Sequence, residues 1–178
     1  KTLITIRTIK TYKKDEKRKI LIMAPGSAIA GWVAELSDEN EHDVALLLGS
    51  TKERLTQLSR GCKWNVMNYE GVRWIGDTLR IQPFDVVVLD ESTKIKSSTS
   101  KVSKYFAAFF RRAKHRFILS GTPDPESDLD FVQQLQFLDK SILGVQNYYV
   151  FRMKYCKPDV FGFSIDNRHK KWFKDQIA

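Results

Sequence analysis

Three short stretches of the chain hold residue types able to do chemistry together. Phe84-Asp85-Val86-Val87-Val88-Leu89-Asp90-Glu91 is an apolar run that delivers two adjacent carboxylates at its end. Successive side chains at a strand tip point in different directions, so one acid can hold a hydrated divalent cation while the other approaches a water. That division suits hydrolysis of a phosphoanhydride, in which the ion neutralises charge and a carboxylate orients or deprotonates the nucleophile. An Asp-Glu pair at a solvated strand end is also common without any chemistry. Ser120-Gly121-Thr122-Pro123 closes a second apolar run. Its hydroxyls can bond the acids or a phosphate, and Gly121 permits close backbone approach, although alone it reads equally as a turn ended by proline. Met23-Ala24-Pro25-Gly26-Ser27 closes a third run and opens a helix whose first amides can hold a phosphate, or can merely turn the chain.

The elements that must position these stretches follow a regular beat. Lys1 to Tyr12 sets Leu3, Ile6 and Ile9 at helical spacing, and Lys13 to Lys19 is a charged loop. Ile20 to Ala24 predicts a buried strand ended by Pro25-Gly26, and Ser27 is expected to cap a helix with Ile29, Trp32, Val33 and Leu36 on one face. Val44 to Leu48 is a further apolar run, and Ser50 with Glu53 forms a capping box for a helix through Arg60. Trp64 to Met67 predicts a strand, Tyr69 to Ile75 a short helix, and Phe84 to Leu89 another strand. Ser100 to Arg112 carries Val102, Tyr105, Phe106 and Phe109 on one helical face, and Arg116 to Leu119 predicts a strand. Ser127 is expected to cap a helix containing Phe131, Leu135 and Leu138. Strands apolar on both faces, separated by helices, indicate βαβ units around a parallel sheet. Ligands of such a sheet bind outside the carboxyl ends of its strands, where all three stretches fall. Residues 1–139 therefore read as one α/β domain. Residues 140–178 are aromatic and basic without clear periodicity, and read as an extension.

Composition narrows the classes further. The 178 residues carry 30 Lys+Arg against 21 Asp+Glu, a net +9, so a polyanionic partner is expected. Hydrophobic residues make up 42%, with only 9 Gly and 5 Pro, which excludes a disordered or fibrous chain. Cys62 and Cys156 are isolated, which argues against a zinc module or a disulfide scaffold and fits a reducing compartment. Apolar runs such as Val86 to Leu89 are far too short to cross a bilayer, and no signal-peptide core is found at the start. His42, His115 and His169 are scattered, so no metal ligand set, Ser/His/Asp or Cys/His arrangement can be assembled from them.

The order of the motifs is more specific than any one of them. Leu21-Ile22-Met23-Ala24-Pro25 with Ser27 and Trp32 resembles motif Ia of the superfamily 2 helicases, and Val66-Met67-Asn68-Tyr69-Glu70 resembles the Tyr-Glu stretch of motif Ib. Val87-Val88-Leu89-Asp90-Glu91-Ser92-Thr93-Lys94-Ile95-Lys96 resembles motif II, the Walker B box, with the Ile-Lys of Snf2-like members. Phe117-Ile118-Leu119-Ser120-Gly121-Thr122-Pro123 is similar to motif III, and Leu135-Gln136-Phe137-Leu138 to the helix that follows it. Over Lys1 to Asp139 the chain thus resembles the first RecA-like lobe of a Snf2-like ATP-dependent DNA translocase. The resemblance implies a RecA-like P-loop NTPase lobe, a mainly parallel central sheet with helices on both faces. It also implies ATP and Mg²⁺ at the strand ends. Asp90 would meet the ion, Glu91 would orient the attacking water, and Ser120, Thr122 and Thr93 would couple nucleotide state to the nucleic-acid side.

Two departures from that family accompany the resemblance. Thr93 stands where the family has His in motif II, and no G-x-x-x-x-G-K-S/T phosphate loop occurs. Lys1-Thr2-Leu3 stands 24 positions ahead of Pro25, where the Lys-Thr of that loop falls. The chain is accordingly expected to begin inside the loop, with Lys1 on the β- and γ-phosphates and Thr2 on the Mg²⁺.

Positive charge gathers in Lys10 to Lys19, in Arg111-Arg112-Lys114-His115-Arg116, and from Arg152 to Lys174. Lys10 to Lys19 reads as a solvated face. The resemblance places double-stranded DNA near Ser27, Asn68 and Tyr69, and near Lys94 and Lys96. Phe106, Phe109 and Phe110 read as core. Tyr148, Tyr149, Phe151 and Tyr155 can stack on bases, but are expected to pack the extension onto the lobe. The family places nucleotide between two lobes, the second supplying an arginine finger, and the residues after Asp139 are too few to build it. The isolated chain is therefore expected to have little or no ATPase activity. A non-catalytic nucleic-acid-binding or interaction module on the same scaffold stays open: Thr93 and the absent loop favour it, and the intact Asp90-Glu91 pair opposes it. The expected compartment is the cytoplasm of a bacterial or phage-infected cell, or the nucleus of a eukaryote.

Overall fold

The computed structural model describes residues 1–12, 18–92, 113–121, 129–139, 141–145, 147–160 and 162–177. Five strands form one wholly parallel sheet in the order β2-β3-β1-β4-β5. They are β1 (Ile20–Ala24), β2 (Val44–Leu46), β3 (Trp64–Asn68), β4 (Val86–Leu89) and β5 (His115–Ile118). The strands β1 and β4 are apolar at every position because both faces are covered, as parallel sheets require.

Period-two alternation divides the core in two. Ile20, Ile22, Ala24, Trp64, Val66, Val86 and Val88 face α1 (Thr2–Thr11) and α2 (Ile29–Asp38), meeting Ile6, Ile9, Ile29, Trp32 and Leu36. Leu21, Met23, Met67, Val87 and Leu89 face the other way, onto α3 (Thr51–Ser59) and α4 (Val72–Ile81), through Leu58, Val72, Ile75 and Leu79. Each large side chain fully buried this way contributes roughly 1.5–3 kcal/mol. The connection β1→β2 carries its helix on the first face. The connections β2→β3 and β3→β4 run the other way along the sheet and carry theirs on the second, as a single crossover hand demands. Strand order therefore reverses at β1, and the crevice for a ligand opens beyond its carboxyl end.

Local signals explain most boundaries. The Ser50 hydroxyl accepts the N–H of Glu53 while the Ser50 N–H donates to the Glu53 carboxylate, the expected capping box. Three expectations are corrected. Ser27 is not a helix cap: it lies in the single 3₁₀ turn Gly26–Ala28, and α2 starts after Ala28 with no side-chain cap, because Pro25-Gly26 tighten the chain first. The short helix from Tyr69 is a 3₁₀ turn, Tyr69–Gly71, that leads into α4 and continues to Ile81. The region after Ser141 is regular. It contains α6 (Tyr148–Tyr155), an antiparallel hairpin of β6 (Cys156–Asp159) and β7 (Gly162–Ile165), and α7 (Asn167–Ile177). These elements share a cluster with α5 (Asp130–Leu138), in which Val132, Leu135, Leu143, Phe151, Ile165 and Phe173 are buried. Tyr155 stacks on Trp172 within the extension with ring centroids 4.6 Å apart, and Phe151 is buried in the cluster shared with Val132 and Leu135, the expected packing onto the lobe, while Tyr149 stays half exposed. The helix expected over Ser100 to Arg112 and the Ser127 cap lie outside the described residues. No described helix is long and apolar enough to cross a membrane.

Candidate nucleotide site

Parallel register brings the ends of four strands to one edge. Ala24 pairs with Asn68, Met23 with Leu89, and Leu89 with Ile118. The residues that follow, Pro25 to Ser27, Tyr69, Asp90-Glu91 and Leu119 to Gly121, therefore share one rim.

Asp90 continues the alternation of Val86 and Val88, so its side chain points toward α2. It is 7% exposed. Its Oδ2 accepts the Trp32 indole N–H at 2.9 Å, and its Oδ1 accepts the backbone N–H of Glu91 at 3.0 Å. Both oxygens keep a second lone pair for a hydrated cation. Below it, the Tyr69 hydroxyl donates to the Asp90 carbonyl at 2.7 Å. Burial, then the neighbouring Asp90 and Glu91 charges, push the Tyr69 phenol far above its ordinary range, so it remains a donor.

Glu91 adopts φ +49, in the left-handed region that costs a side-chain-bearing residue about 1–2 kcal/mol. That turn swings its carboxylate out of the strand's alternation. Its Oε1 lies 3.2 Å from the Lys1 ammonium, and its Oε2 accepts the Gly121 N–H at 3.4 Å. The pair is open to solvent, with 47% and 37% of the two side chains exposed, so it is a weak link that a stronger anion can replace. A Cβ at Gly121 would come 3.1 Å from Glu91 Oε1 and 3.4 Å from Lys1 Nζ, so the rim is narrow there. Lys1 stands at the N-terminus of α1, whose first turn has neither a side-chain cap nor an acidic residue. The Lys1 ammonium thus meets Glu91 at an uncapped helix start that also carries the Thr2 hydroxyl, residue types suited to phosphate oxygens.

A divalent cation is implied by this chemistry, and the residues fit one. Asp90 and Thr2 are hard oxygen donors. Among the described residues no group of three or more His, Cys, Asp and Glu side chains could hold an ion alone. Mg²⁺ would take one or two protein oxygens here and draw the rest from water and phosphates.

The structure thus brings Lys1, Asp90, Glu91 and Gly121 together, with Thr2 next to Lys1. Ser120 follows β5 on the same rim. Thr93, Lys94, Lys96 and Thr122 lie outside the described residues. On the adjoining rim Ser27 is exposed and Asn68 half-buried. Tyr69, expected at the DNA, is 4% exposed, and its hydroxyl is spent on Asp90; its side chain ties that loop to the acids and offers no surface to a ligand. Two contributors were not read as site residues. Trp32 entered as an apolar face residue and as part of motif Ia, without a partner for its indole N–H, although a buried indole N–H needs an acceptor. Arg54 read as an ordinary position of a capped helix, and nothing in the pattern marks it. It is 5% exposed. Of the basic runs, Lys10 is spent on Glu39, and Lys114 lies 3.7 Å from Asp85. His115 stacks on Tyr12. The Ser92 hydroxyl donates to Gln134 at 2.6 Å and Ser92 N–H to Leu119 carbonyl at 2.9 Å, locking the loop after the acids to α5 and to β5.

The family model described as SNF2-related domain matches residues 1–170, well past Asp139. The SWI2/SNF2 ATPase core of Sulfolobus solfataricus, solved in complex with dsDNA, superposes with a TM-score of 0.80 at 27% identity, covering 99% of this chain and 36% of that one. The mouse DNA annealing helicase and endonuclease ZRANB3 is 28% identical over 97% of this chain and 16% of its own length. The TATA-binding protein-associated factor BTAF1 of Arabidopsis thaliana is 30% identical over 78% of this chain and 7% of its own. The chain thus spans well under half the length of each of these proteins.

Proposed function

The chain belongs to the SNF2-related domain family, and on that basis we propose that it is the nucleotide-binding first lobe of an ATP-dependent translocase on double-stranded DNA. The observation that carries this reading is the convergence of Lys1, Glu91 and Gly121 beside the anchored Asp90. The solvent-open ammonium–carboxylate pair on a residue at φ +49 supports a working site over a scaffold kept only for binding.

In this reading ATP enters with its phosphates at the start of α1. Lys1 exchanges the Glu91 carboxylate for the β- and γ-phosphates, and Glu91, released, accepts a hydrogen bond from the attacking water and takes its proton at a carboxylate oxygen. Asp90, with both oxygens oriented by Trp32 and the Glu91 N–H, and Thr2 would hold the Mg²⁺. When bound, that ion neutralises charge developing between the β- and γ-phosphates. Ser27 and Asn68, at the ends of β1 and β3, would meet the DNA backbone; Lys94, Lys96, Ser120, Thr122 and Thr93 enter only as the motifs assign them. A second lobe would complete the nucleotide site. The protein would work wherever duplex DNA is, in a bacterial or phage-infected cytoplasm or in a nucleus.

Nucleotide binding to the full-length protein tests the reading. Lys1→Ala is expected to weaken binding of an ATP analogue by at least roughly tenfold, the loss of one charge-assisted contact. An unchanged affinity would remove Lys1 from the site, and with it the observation on which the reading stands.

A further inference from the structure

The nucleotide site leaves one buried charge unused. Arg54, in the first turns of α3, is 5% exposed and faces no carboxylate at ion-pair distance among the described residues. Its guanidinium is spent on the ends of other elements instead. Nε donates to the Gly49 carbonyl at 2.8 Å, and Nη1 donates to the Leu47 carbonyl and to the Asn68 side-chain oxygen at 3.0 Å. Burying a cation costs several kcal/mol unless such acceptors meet it, so the arrangement is rigid once made. Gly71 is shaped around it. A Cβ there would collide with Arg54 Nη1 and come within 2.6 Å of Met67 Cε. The glycine's φ is ordinary, so it is the guanidinium together with the Met67 methyl, and not the backbone, that leaves no room for a side chain. One side chain therefore fixes the exit of β2, the end of β3 and the 3₁₀ turn Tyr69–Gly71.

We propose that Arg54 is a positioning residue for DNA binding: from beneath the β3–α4 turn it fixes Asn68 in the orientation that meets duplex DNA, without itself touching the DNA. The inference deepens the functional reading above and rests on it, because it takes Asn68 as a DNA contact. It separates Arg54 from the surface lysines and arginines that supply attraction. Arg54 sets geometry, and its charge is internal.

The experiment measures, in the full-length protein, affinity for a short labelled DNA duplex over a range of salt, affinity for an ATP analogue, and thermal melting. The variants are Arg54→Met, which keeps the stem and removes the donors, Arg54→Lys, and Gly71→Ala, which displaces the guanidinium without removing it. Arg54→Met and Gly71→Ala are expected to weaken duplex binding roughly tenfold, about 1.4 kcal/mol, with nucleotide affinity within roughly twofold of the parent. Arg54→Lys should fall between, since one ammonium cannot reproduce a planar fork on three acceptors. The slope of log affinity against log salt should stay that of the parent, whereas loss of a direct phosphate contact would lower it by about one. The proposal is overturned if duplex affinity is unchanged in the variants that melt cooperatively, if nucleotide affinity falls in step with it, or if the slope drops. Should both Arg54 variants fail to fold, Gly71→Ala alone decides by the same criteria, and its failure to fold too would show Arg54 to be purely structural and overturn the proposal. Asn68→Ala separates this inference from its basis. If Asn68→Ala leaves duplex affinity intact, the DNA reading of the loop fails. If it weakens binding and the Arg54 variants do not, only the role of Arg54 fails.

Discussion

Asp90 and Glu91 are neighbours with opposite treatment. Asp90 is buried and held at both oxygens, so it can meet a cation with little reorganisation, while Glu91 is partly exposed, strained at φ +49 and, among the described residues, held by Lys1 and Gly121. A group that must orient water and move a proton needs that freedom; a group that must hold an ion needs the anchor. The anchor is testable. Trp32→Phe keeps an aromatic ring in the core and deletes the indole donor, leaving a buried carboxylate oxygen without that partner. It is expected to cost about 1–3 kcal/mol in denaturant unfolding. An unchanged midpoint would show that the Asp90–Trp32 bond carries no stability. The two acids were legible in the sequence because a pair of carboxylates stands out sharply at the tip of an apolar strand. Their partners were not. Trp32 is 58 positions from Asp90 and shares a helical face with Ile29 and Leu36, so pattern alone files it as core. Arg54 is likewise hidden, since a guanidinium inside a capped helix looks solvent-facing until β2, β3 and the turn close over it.

Elements with a strong local signal came out as read, and those whose ends depend on tertiary contacts did not. The apolar runs of β1 and β4 and the capping box of α3 are set by residues inside the element. The tail is the opposite case. Its hairpin strands are four residues each and α6 only eight, too short for a period to emerge. Their burial against Val132 and Leu135 becomes visible only when α5 is in place. The α3 cap gives the element-scale prediction. Ser50→Ala removes the acceptor for the Glu53 N–H and should cost about 1 kcal/mol at neutral pH. Hydrogen bonds from the Ser50 side chain and backbone hold the Glu53 carboxyl below its usual range. A carboxyl depressed in the folded state contributes stability that is present above its unfolded pKa and is lost as pH falls through the folded one. The gap between parent and Ser50→Ala in urea midpoint should therefore narrow on acidification through the carboxylate range. A gap that widens there would contradict the cap.

At the scale of the whole molecule, the proposed function would put two tasks on one rim of the sheet. Nucleotide would sit at β4, β5 and the start of α1, and DNA at the ends of β1 and β3. The two regions meet at Asp90, which Trp32 reaches from the helix after Ser27 and Tyr69 reaches from the turn after Asn68. Trp32 and Tyr69 thus tether both loops to the Asp90 strand end by one hydrogen bond each. Under the proposed function the excess of 30 basic over 21 acidic residues would supply the attraction to DNA, although several of those basic groups are already spent on internal ion pairs with Glu39, Glu41 and Asp85. The order of motifs made this architecture readable from sequence, whereas the tethers from Trp32 and Tyr69 required the fold. The most direct test of the account is ATP turnover by the full-length protein with and without duplex DNA, in the parent and in Glu91→Gln. The parent is expected to hydrolyse ATP with clear stimulation by duplex DNA, and Glu91→Gln to lose roughly 10²-fold or more of that rate while still binding ATP and DNA. Turnover that ignores DNA, or that survives Glu91→Gln undiminished, would contradict it.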